Sequence, residues 1–196
     1  SLWCDFIERD FLETRFKEII KKNIIQGATS NPAIFESSIT SSVAYKQQLD
    51  MLQANNAKTI YEELALTDIK RAAALLTDLH KKDADDGFIS IEVDPLLCDD
   101  AAGTIEEGVR LYSSINVDNV MIKIPATEAG YIAMRELTSK GINVNATLIF
   151  SPEQAIKCTQ ALDEGIKDSN KDIKAVVSVF VSRFDRLVDA DFKVKG

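Results

Sequence analysis

The chain has 196 residues, of which 45% are hydrophobic and 28% are charged, and its formal net charge at pH 7 is −8. This length suits one sizeable domain, and the composition is ordinary for a soluble globular protein without a run of apolar residues long enough to span a bilayer. The acidic balance and the lack of a basic stripe argue against a nucleic-acid binder, and an anionic substrate would need a local cationic pocket.

Strands and helices alternate along the chain. Hydrophobic patterns predict six strands, at Leu2–Phe6, Gly27–Ser30, Phe88–Val93, Val120–Ile124, Asn143–Phe150 and Ala175–Val181. Helical periodicity fills the intervals, at Arg9–Lys22, Ala33–Leu79, Asp99–Ser114, Thr127–Lys140, Pro152–Lys167 and the C-terminal tail. We expect the long second interval to contain several helices, with breaks or caps at Ser37–Ser38, Asn55–Asn56 and Thr67–Asp68. This alternation predicts an α/β fold with a parallel sheet.

Each predicted strand has one apolar face and one face that carries polar residues, because successive side chains point to opposite sides. The polar faces hold Asp5, Ser90, Glu92, Asp94, Lys123, Asn143, Asn145, Thr147, Ser178 and Ser182. In the fifth strand the apolar face is expected to hold Val144, Ala146, Leu148 and Phe150. A (β/α)8 barrel explains the pattern, since one face meets the helices and the other lines the interior. An open doubly wound sheet would not tolerate these polar side chains.

Lys123 lies in the middle of the fourth predicted strand and just before Pro125, which ends that strand. Burial disfavours the charged ammonium, and a neutral amine is a nucleophile that can form a Schiff base with a carbonyl compound. Its position near the carboxyl end of a parallel strand is where α/β folds place their sites. Two alternatives are a lysine that reaches out to water and one that only pairs with a buried carboxylate.

Other common site types are disfavoured. Cys4, Cys98 and Cys158 are far apart and His80 is the only histidine, so we expect no disulfide scaffold, no zinc site and no Ser-His-Asp triad. The cysteine usage fits a reducing cytoplasm. No glycine-rich dinucleotide or phosphate loop follows a predicted strand.

Six segments together resemble the transaldolases in order and spacing. They are Leu2-Trp3-Cys4-Asp5, Gly27-Ala28-Thr29-Ser30-Asn31-Pro32-Ala33-Ile34, Ser90-Ile91-Glu92-Val93, Ile122-Lys123-Ile124-Pro125-Ala126-Thr127, Asn143-Val144-Asn145-Ala146-Thr147-Leu148 and Ser178-Val179-Phe180-Val181-Ser182-Arg183. The resemblance implies a class I Schiff-base enzyme on a (β/α)8 barrel that needs no metal and no organic cofactor. It implies transfer of a dihydroxyacetone unit from a ketose phosphate to an aldose phosphate in the non-oxidative pentose phosphate pathway.

The resemblance also implies roles for four catalytic residues. Lys123 would attack the C2 ketone of fructose 6-phosphate or sedoheptulose 7-phosphate and become an iminium. Asp5 would be the base for the C4 hydroxyl as the C3–C4 bond breaks. Glu92, with Thr147 holding a water, would move protons as the carbinolamine forms and collapses.

Five further residues are implied as substrate-binding. Asn31, Asn145 and Ser178 would hydrogen-bond the dihydroxyacetone hydroxyls, and Arg183 would help to hold the substrate phosphate. Phe180 is the fifth residue that the resemblance implies as substrate-binding.

Several of these residues have simpler explanations. Asp5 could cap the helix that follows it, and Asn31 before a proline is often a turn residue. Ser178 could be a small residue that faces the core, and Arg183 could form a surface ion pair.

An eight-stranded barrel typically needs about 250 residues, whereas only six strands are predicted here. We therefore expect a single transaldolase-like barrel domain over residues 1–196 that is truncated after the sixth strand, with two exposed strand edges. Activity of the chain alone is doubtful on this expectation. The expected partners are small sugar phosphates, with a monomer or homodimer as the assembly, or the missing C-terminal part of the same protein.

Two rival functions stay open. A fructose-6-phosphate aldolase-like enzyme of the same superfamily would release dihydroxyacetone to water, but such enzymes usually carry glutamine and tyrosine where this chain has Glu92 and Phe180. A non-catalytic barrel fragment would instead bind a sugar phosphate or a partner chain.

Overall fold

The computed structural model describes residues 2–195, with side chains described as far as residue 189. Its strands are β1 (Trp3–Cys4), β2 (Gly27–Thr29), β3 (Phe88–Glu92), β4 (Val120–Pro125), β5 (Val144–Ile149) and β6 (Ala175–Val179). The α-helices are α1 (Arg9–Phe11), α2 (Lys17–Lys21), α3 (Pro32–Ser41), α4 (Lys46–Leu52), α5 (Ala57–Lys82), α6 (Ala101–Ile115), α7 (Glu128–Ser139), α8 (Pro152–Asp168) and α9 (Ser182–Lys195). A π-helical segment, Leu12–Phe16, joins α1 to α2.

The strands form one sheet in the order β1-β2-β3-β4-β5-β6. The pairs β1–β2, β2–β3 and β5–β6 are parallel. Each strand is thus a neighbour of the next strand along the chain, with helices in between. This arrangement is that of the first six strands of a (β/α)8 barrel, so the predicted fold class is confirmed.

The chain divides into two compact units. The first runs to Glu92 and includes Arg110–Ile122, and the second comprises Val93–Val109 and the chain from Lys123 onward. In the first unit, the core is formed by apolar side chains of the π-helical segment, α5 and β3 that are fully buried, such as Phe16, Leu76 and Ile89. In the second unit, α7 packs along α8, and Leu137, Ile149 and Cys158 are fully buried.

Local sequence signals set several helix ends. Asn56 caps α5 by accepting a hydrogen bond from the Thr59 amide at 2.9 Å, as the predicted break at Asn55–Asn56 suggested. Ser151 caps α8, and Pro152 occupies the first helical position. Gly141 ends α7 with a φ of +81°, a conformation that glycine adopts without a steric penalty.

Two of the predicted helix breaks are wrong. Ser37–Ser38 lies inside α3 and Thr67–Asp68 lies inside α5. Asp68 is only 1% exposed, and it accepts hydrogen bonds from Arg9 Nε at 2.9 Å and from Tyr45 Oη at 2.7 Å. These distant partners satisfy the carboxylate within a helix, and a local reading of the sequence could not identify them.

The expected faces of the fifth strand are partly wrong. Val144 and Ala146 are buried with the core as predicted, but Phe150 is 37% exposed and Leu148 is half-buried. Ile149, which regular alternation would place on the same face as Thr147, is fully buried in the core. The cause is an irregularity in the pairing of β5 with β6 between Ala146 and Ile149, which changes the alternation of side chains.

No helix among residues 2–195 combines the length and apolar character needed to cross a membrane.

Candidate functional site

Lys123 is buried in β4, where all six residues of the strand are buried. The residue is only 5% exposed, so its side chain does not reach out to water. The amide of Val93, the residue that follows β3, donates to the Lys123 carbonyl oxygen at 3.2 Å. This bond fixes the backbone of β4 at Lys123. Lys123 thus lies near the carboxyl end of β4, where parallel α/β folds place their sites.

Strand β5 supplies polar side chains to the same unit as Lys123. The Ala126 amide donates to the Thr147 carbonyl oxygen at 2.9 Å, and this bond fixes the register of β5 beside β4. In a parallel ladder that register puts Lys123, Asn145 and Thr147 on one face. Asn145 is 2% exposed and Thr147 is 1% exposed, so this face is shielded from water.

The structure brings Asn145 and Ser178 together. The Ser178 hydroxyl donates to Asn145 Oδ1 at 2.8 Å. This bond fixes the direction of the Asn145 side chain, because its Oδ1 is engaged by the Ser178 hydroxyl. Ser178 is half-buried.

Thr147 differs from its neighbours because its hydroxyl is unused. Thr147 Oγ1 is buried and makes no hydrogen bond to any described residue. A buried hydroxyl without a partner is costly, so one that persists points to a role such as holding a water or a ligand.

The first unit contains a hydroxyl network where β2 and β3 end. The Ser90 hydroxyl donates to Thr29 Oγ1 at 2.8 Å, and the Ser30 hydroxyl donates to the Ser90 carbonyl oxygen at 2.8 Å. Ser30 and Ser90 are both fully buried. Sequence reasoning placed Ser90 on the polar face but missed Ser30, which lies just past the end of β2.

The acidic candidates of the first unit differ in their exposure. Asp5 follows β1 directly and is exposed, and Glu92 is the last residue of β3 and is half-buried. The helix after β1 is capped by Glu8, whose side chain accepts from the Phe11 amide at 2.8 Å. The alternative that Asp5 caps this helix is therefore wrong.

Asn31 does act as a helix cap. Its Oδ1 accepts a hydrogen bond from the Ile34 amide at 3.0 Å at the start of α3. The sequence suggested a turn residue as the simpler explanation, whereas the structure shows a helix cap, and the side-chain NH2 group is the part that can still donate to a ligand.

Aromatic rings surround the start of α9. The Phe150 and Phe180 ring centroids are 5.4 Å apart, and Phe150 and Phe184 are 6.2 Å apart. Arg183 is exposed, and its guanidinium carbon lies 5.6 Å from the centre of the Phe180 ring. A cation–π contact of this kind leaves the guanidinium N–H groups at the ring edge able to bind an anion.

Gln154 lies in the first turn of α8 and contacts two other elements. Its Oε1 accepts from the Phe150 amide at 2.9 Å, while its Nε2 donates to the Ala126 carbonyl oxygen at 3.1 Å. Gln154 thereby ties the end of β5 to the residue that follows β4.

Among residues 2–189 there is no group of three or more His, Cys, Asp and Glu side chains that could hold a metal ion.

Comparison with known proteins identifies the relatives of this chain. The profile of the Transaldolase/Fructose-6-phosphate aldolase family matches residues 2–195. A transaldolase of Helicobacter pylori (strain Shi470) is 51% identical over 189 residues, which are 96% of this chain and 58% of that protein. A transaldolase of Campylobacter jejuni subsp. jejuni serotype O:23/36 is 49% identical over 204 aligned positions, covering 98% of this chain and 62% of that protein. The chain thus spans about three fifths of the length of these curated relatives.

Proposed function

The chain belongs to the transaldolase/fructose-6-phosphate aldolase family, and we propose that its protein is a transaldolase that works through a Schiff base on Lys123. The observation that carries this proposal is the burial of Lys123 at 5% exposure, near the carboxyl end of β4, with Asn145 and Thr147 on the same face. The donor would be fructose 6-phosphate or sedoheptulose 7-phosphate, and the acceptor glyceraldehyde 3-phosphate or erythrose 4-phosphate.

The first stage joins the donor to the enzyme. The neutral amine of Lys123 adds to the C2 ketone to form a carbinolamine, which loses its hydroxyl group as water and becomes an iminium. Glu92 donates the proton that leaves with this water, and Thr147 holds the water through its unused hydroxyl.

The second stage breaks and remakes a carbon–carbon bond. Asp5 takes the proton of the C4 hydroxyl, the C3–C4 electron pair moves into the iminium, and the aldose leaves with an aldehyde group. The enamine that remains on Lys123 attacks the aldehyde carbon of the acceptor, and Asp5 returns the proton to the new hydroxyl. Water then adds to the iminium and releases the new ketose.

The binding residues have separate tasks. Asn145, Ser178 and Asn31 bind the hydroxyl groups of the dihydroxyacetone unit and hold the enamine until the acceptor arrives. The hydrogen bond from Ser178 to Asn145 supports this role, because it fixes the direction of the Asn145 amide. Arg183 binds the phosphate, and Phe180 provides the ring on which that guanidinium rests.

Domain organisation, location and assembly complete the proposal. We place residues 1–196 in a single barrel domain, in a cytoplasmic protein that acts on small sugar phosphates as a monomer or homodimer. The three free cysteines support a reducing compartment.

A transfer assay tests the proposed function. The complete polypeptide that carries this chain is mixed with fructose 6-phosphate and erythrose 4-phosphate, and the sugars are separated by mass. We expect sedoheptulose 7-phosphate and glyceraldehyde 3-phosphate to form together, with little free dihydroxyacetone. Free dihydroxyacetone at a comparable rate without the acceptor would favour the aldolase, and no conversion of either kind would favour the non-catalytic alternative.

A further inference from the structure

Leu148 has an unusual backbone conformation for a leucine inside a strand. Its φ is 56°, in the left-handed region that residues with a Cβ seldom adopt. The other two non-glycine residues with positive φ in the described part of the chain are Asn23 and Asn116, which follow helices. Asparagine tolerates this conformation because its side chain can bond to the local backbone, whereas leucine has no such compensation.

The conformation of Leu148 coincides with a β-bulge. Ala146 pairs with Val177 and Ile149 pairs with Val179, so β5 advances three residues while β6 advances two. The extra residue lies between the two pairs and is either Thr147 or Leu148. A single left-handed residue in the bulge accommodates the extra residue of β5, and the regular pairing with β6 continues after it.

Hydrogen bonds fix the backbone on both sides of Leu148. The Thr147 carbonyl oxygen accepts from the Ala126 amide at 2.9 Å, and the Ile149 carbonyl oxygen accepts from the Phe180 amide at 2.9 Å. The Phe150 amide donates to Gln154 Oε1 at 2.9 Å. The bulge is therefore held by β4, β6 and α8, and the strain at Leu148 is maintained by its surroundings.

The bulge allows β5 to contribute polar residues to the face of Lys123 and then an apolar residue to the core. Before it, Asn145 and Thr147 share the face of Lys123, and after it, Ile149 returns to the core with 0% exposure. In a regular strand Ile149 would lie on the polar face with Thr147, where its side chain would fill space beside the threonine hydroxyl. That hydroxyl is buried and makes no hydrogen bond among the described residues, so it keeps its capacity to bond to a polar group on this face.

We propose that Leu148 is a positioning residue: its left-handed backbone forms the bulge that leaves the Thr147 hydroxyl free on the Lys123 face. This inference rests on the proposed function, because it assigns the hydroxyl to the formation of the Schiff base. Leu148 acts through Thr147 and through the backbone, and its own side chain takes no part in the chemistry.

The test compares substitutions that differ in their tolerance of positive φ. Leu148→Asn keeps a γ-branched shape and tolerates the left-handed conformation. Leu148→Ile keeps the number of side-chain carbons but moves the branch from Cγ to Cβ, which opposes that conformation. The complete polypeptide is mixed with fructose 6-phosphate, reduced with borohydride at intervals, and the rate of adduct formation is read by mass. Thermal unfolding is measured on the same samples.

We expect Leu148→Ile to slow adduct formation by about tenfold to a hundredfold, since small displacements of a catalytic group have effects of this size. Leu148→Asn should stay within about threefold of the parent protein, because it preserves the backbone. Equal rates for the two variants, or a slower Leu148→Asn, would overturn the inference. If the variants give one of these results but the parent protein forms the adduct, only the inference about Leu148 fails and the proposed function stands. If the parent protein forms no adduct, the inference and the proposed function both fail.

A double-substitution comparison separates positioning from loss of folding. If Leu148 acts through the Thr147 hydroxyl, adding Leu148→Ile to Thr147→Val should change the rate by less than about threefold. A further loss as large as the one seen with Thr147 intact would show that Leu148 acts by another route. That result would contradict the inference even if every variant folds.

Discussion

Burial and hydrogen bonding distinguish the candidate residues from one another. Lys123 and Thr147 are both almost completely inaccessible, at 5% and 1% exposure, and Thr147 Oγ1 makes no hydrogen bond within the described residues. Asp5 and Arg183 are exposed, and Asn31 is already engaged as a helix cap. The residues whose burial is hardest to explain by stability alone are therefore Lys123 and Thr147.

Substitution of Thr147 should separate stability from activity. Thr147→Val replaces an unbonded buried hydroxyl by a methyl group of nearly the same size, so the melting temperature should stay the same or rise. Loss of the water-holding hydroxyl should slow Schiff-base formation by about a hundredfold, whereas Thr147→Ser should retain most of the rate. Thermal unfolding and timed borohydride trapping measure the two effects. A Thr147→Val protein with a parental trapping rate would remove Thr147 from the mechanism.

Cys158 should make stability depend on pH in the alkaline range. Its side chain is fully buried in α8, and burial raises the pKa of the thiol from 9.0 to about 11. As the pH rises above 9.0, the unfolded chain ionises this thiol while the folded chain keeps it protonated, so stability is lost between pH 9.0 and about 11.

Urea unfolding at pH 8 and at pH 10.5 checks this prediction. The parent protein should lose more stability between these two pH values than Cys158→Ala. Other alkaline groups contribute equally to both proteins and cancel in the comparison. Identical pH dependence in the parent protein and Cys158→Ala would contradict the assignment.

At the scale of elements, the pairing of α7 with α8 depends on Gly165. A Cβ at this position would lie 2.0 Å from Thr138 Oγ1 and 2.2 Å from the Arg135 carbonyl oxygen. Both distances are far shorter than a normal contact, and one of the atoms belongs to the backbone and cannot rotate away. The absence of a side chain at Gly165 is thus what permits the close approach of the two helices.

Gly165→Ala should therefore destabilise the protein by about 1–3 kcal/mol, although alanine is the better helix former. Gln160→Ala, on the exposed side of α8, is the matched control and should change stability by less than about 0.5 kcal/mol. Denaturant unfolding measures both. A Gly165→Ala variant as stable as the control would mean that α7 and α8 can separate without cost.

The elements also show what a sequence can predict and where it fails. The local signal at Asn55–Asn56 predicted a helix boundary correctly, because a cap is a contact between neighbouring residues. Asp68 was misjudged because its partners, Arg9 and Tyr45, are 59 and 23 residues away along the chain. The bulge at Leu148 could not be predicted either, since it depends on how β5 pairs with β6.

The site was predicted unevenly for the same reason. The alternation of polar residues correctly grouped Lys123 with Asn145 and Thr147, because that grouping follows from the period of a strand. It could not predict that Ser178 binds Asn145 or that Arg183 rests on Phe180, since these contacts depend on side-chain conformations.

For the whole molecule, the strand order and the family relationship agree. Six strands in sequential order with intervening helices match the barrel expected from the sequence, and the family profile extends over residues 2–195. The chain spans 58% of the Helicobacter pylori relative and 62% of the Campylobacter jejuni relative. The proposed mechanism therefore concerns the complete polypeptide, in which it requires that the substrate forms an adduct on Lys123.

Borohydride trapping followed by peptide mass mapping tests whether the substrate adduct forms on Lys123. The complete polypeptide is mixed with fructose 6-phosphate and reduced, alongside Lys123→Met, which keeps an unbranched buried side chain but removes the amine, and Lys140→Met, which removes a surface lysine paired with Glu136. We predict a dihydroxyacetone adduct on the peptide that contains Lys123 in the parent protein and in Lys140→Met, its absence in Lys123→Met, and its loss when erythrose 4-phosphate is added before reduction. An adduct on another lysine, or one that persists in Lys123→Met, would contradict the account.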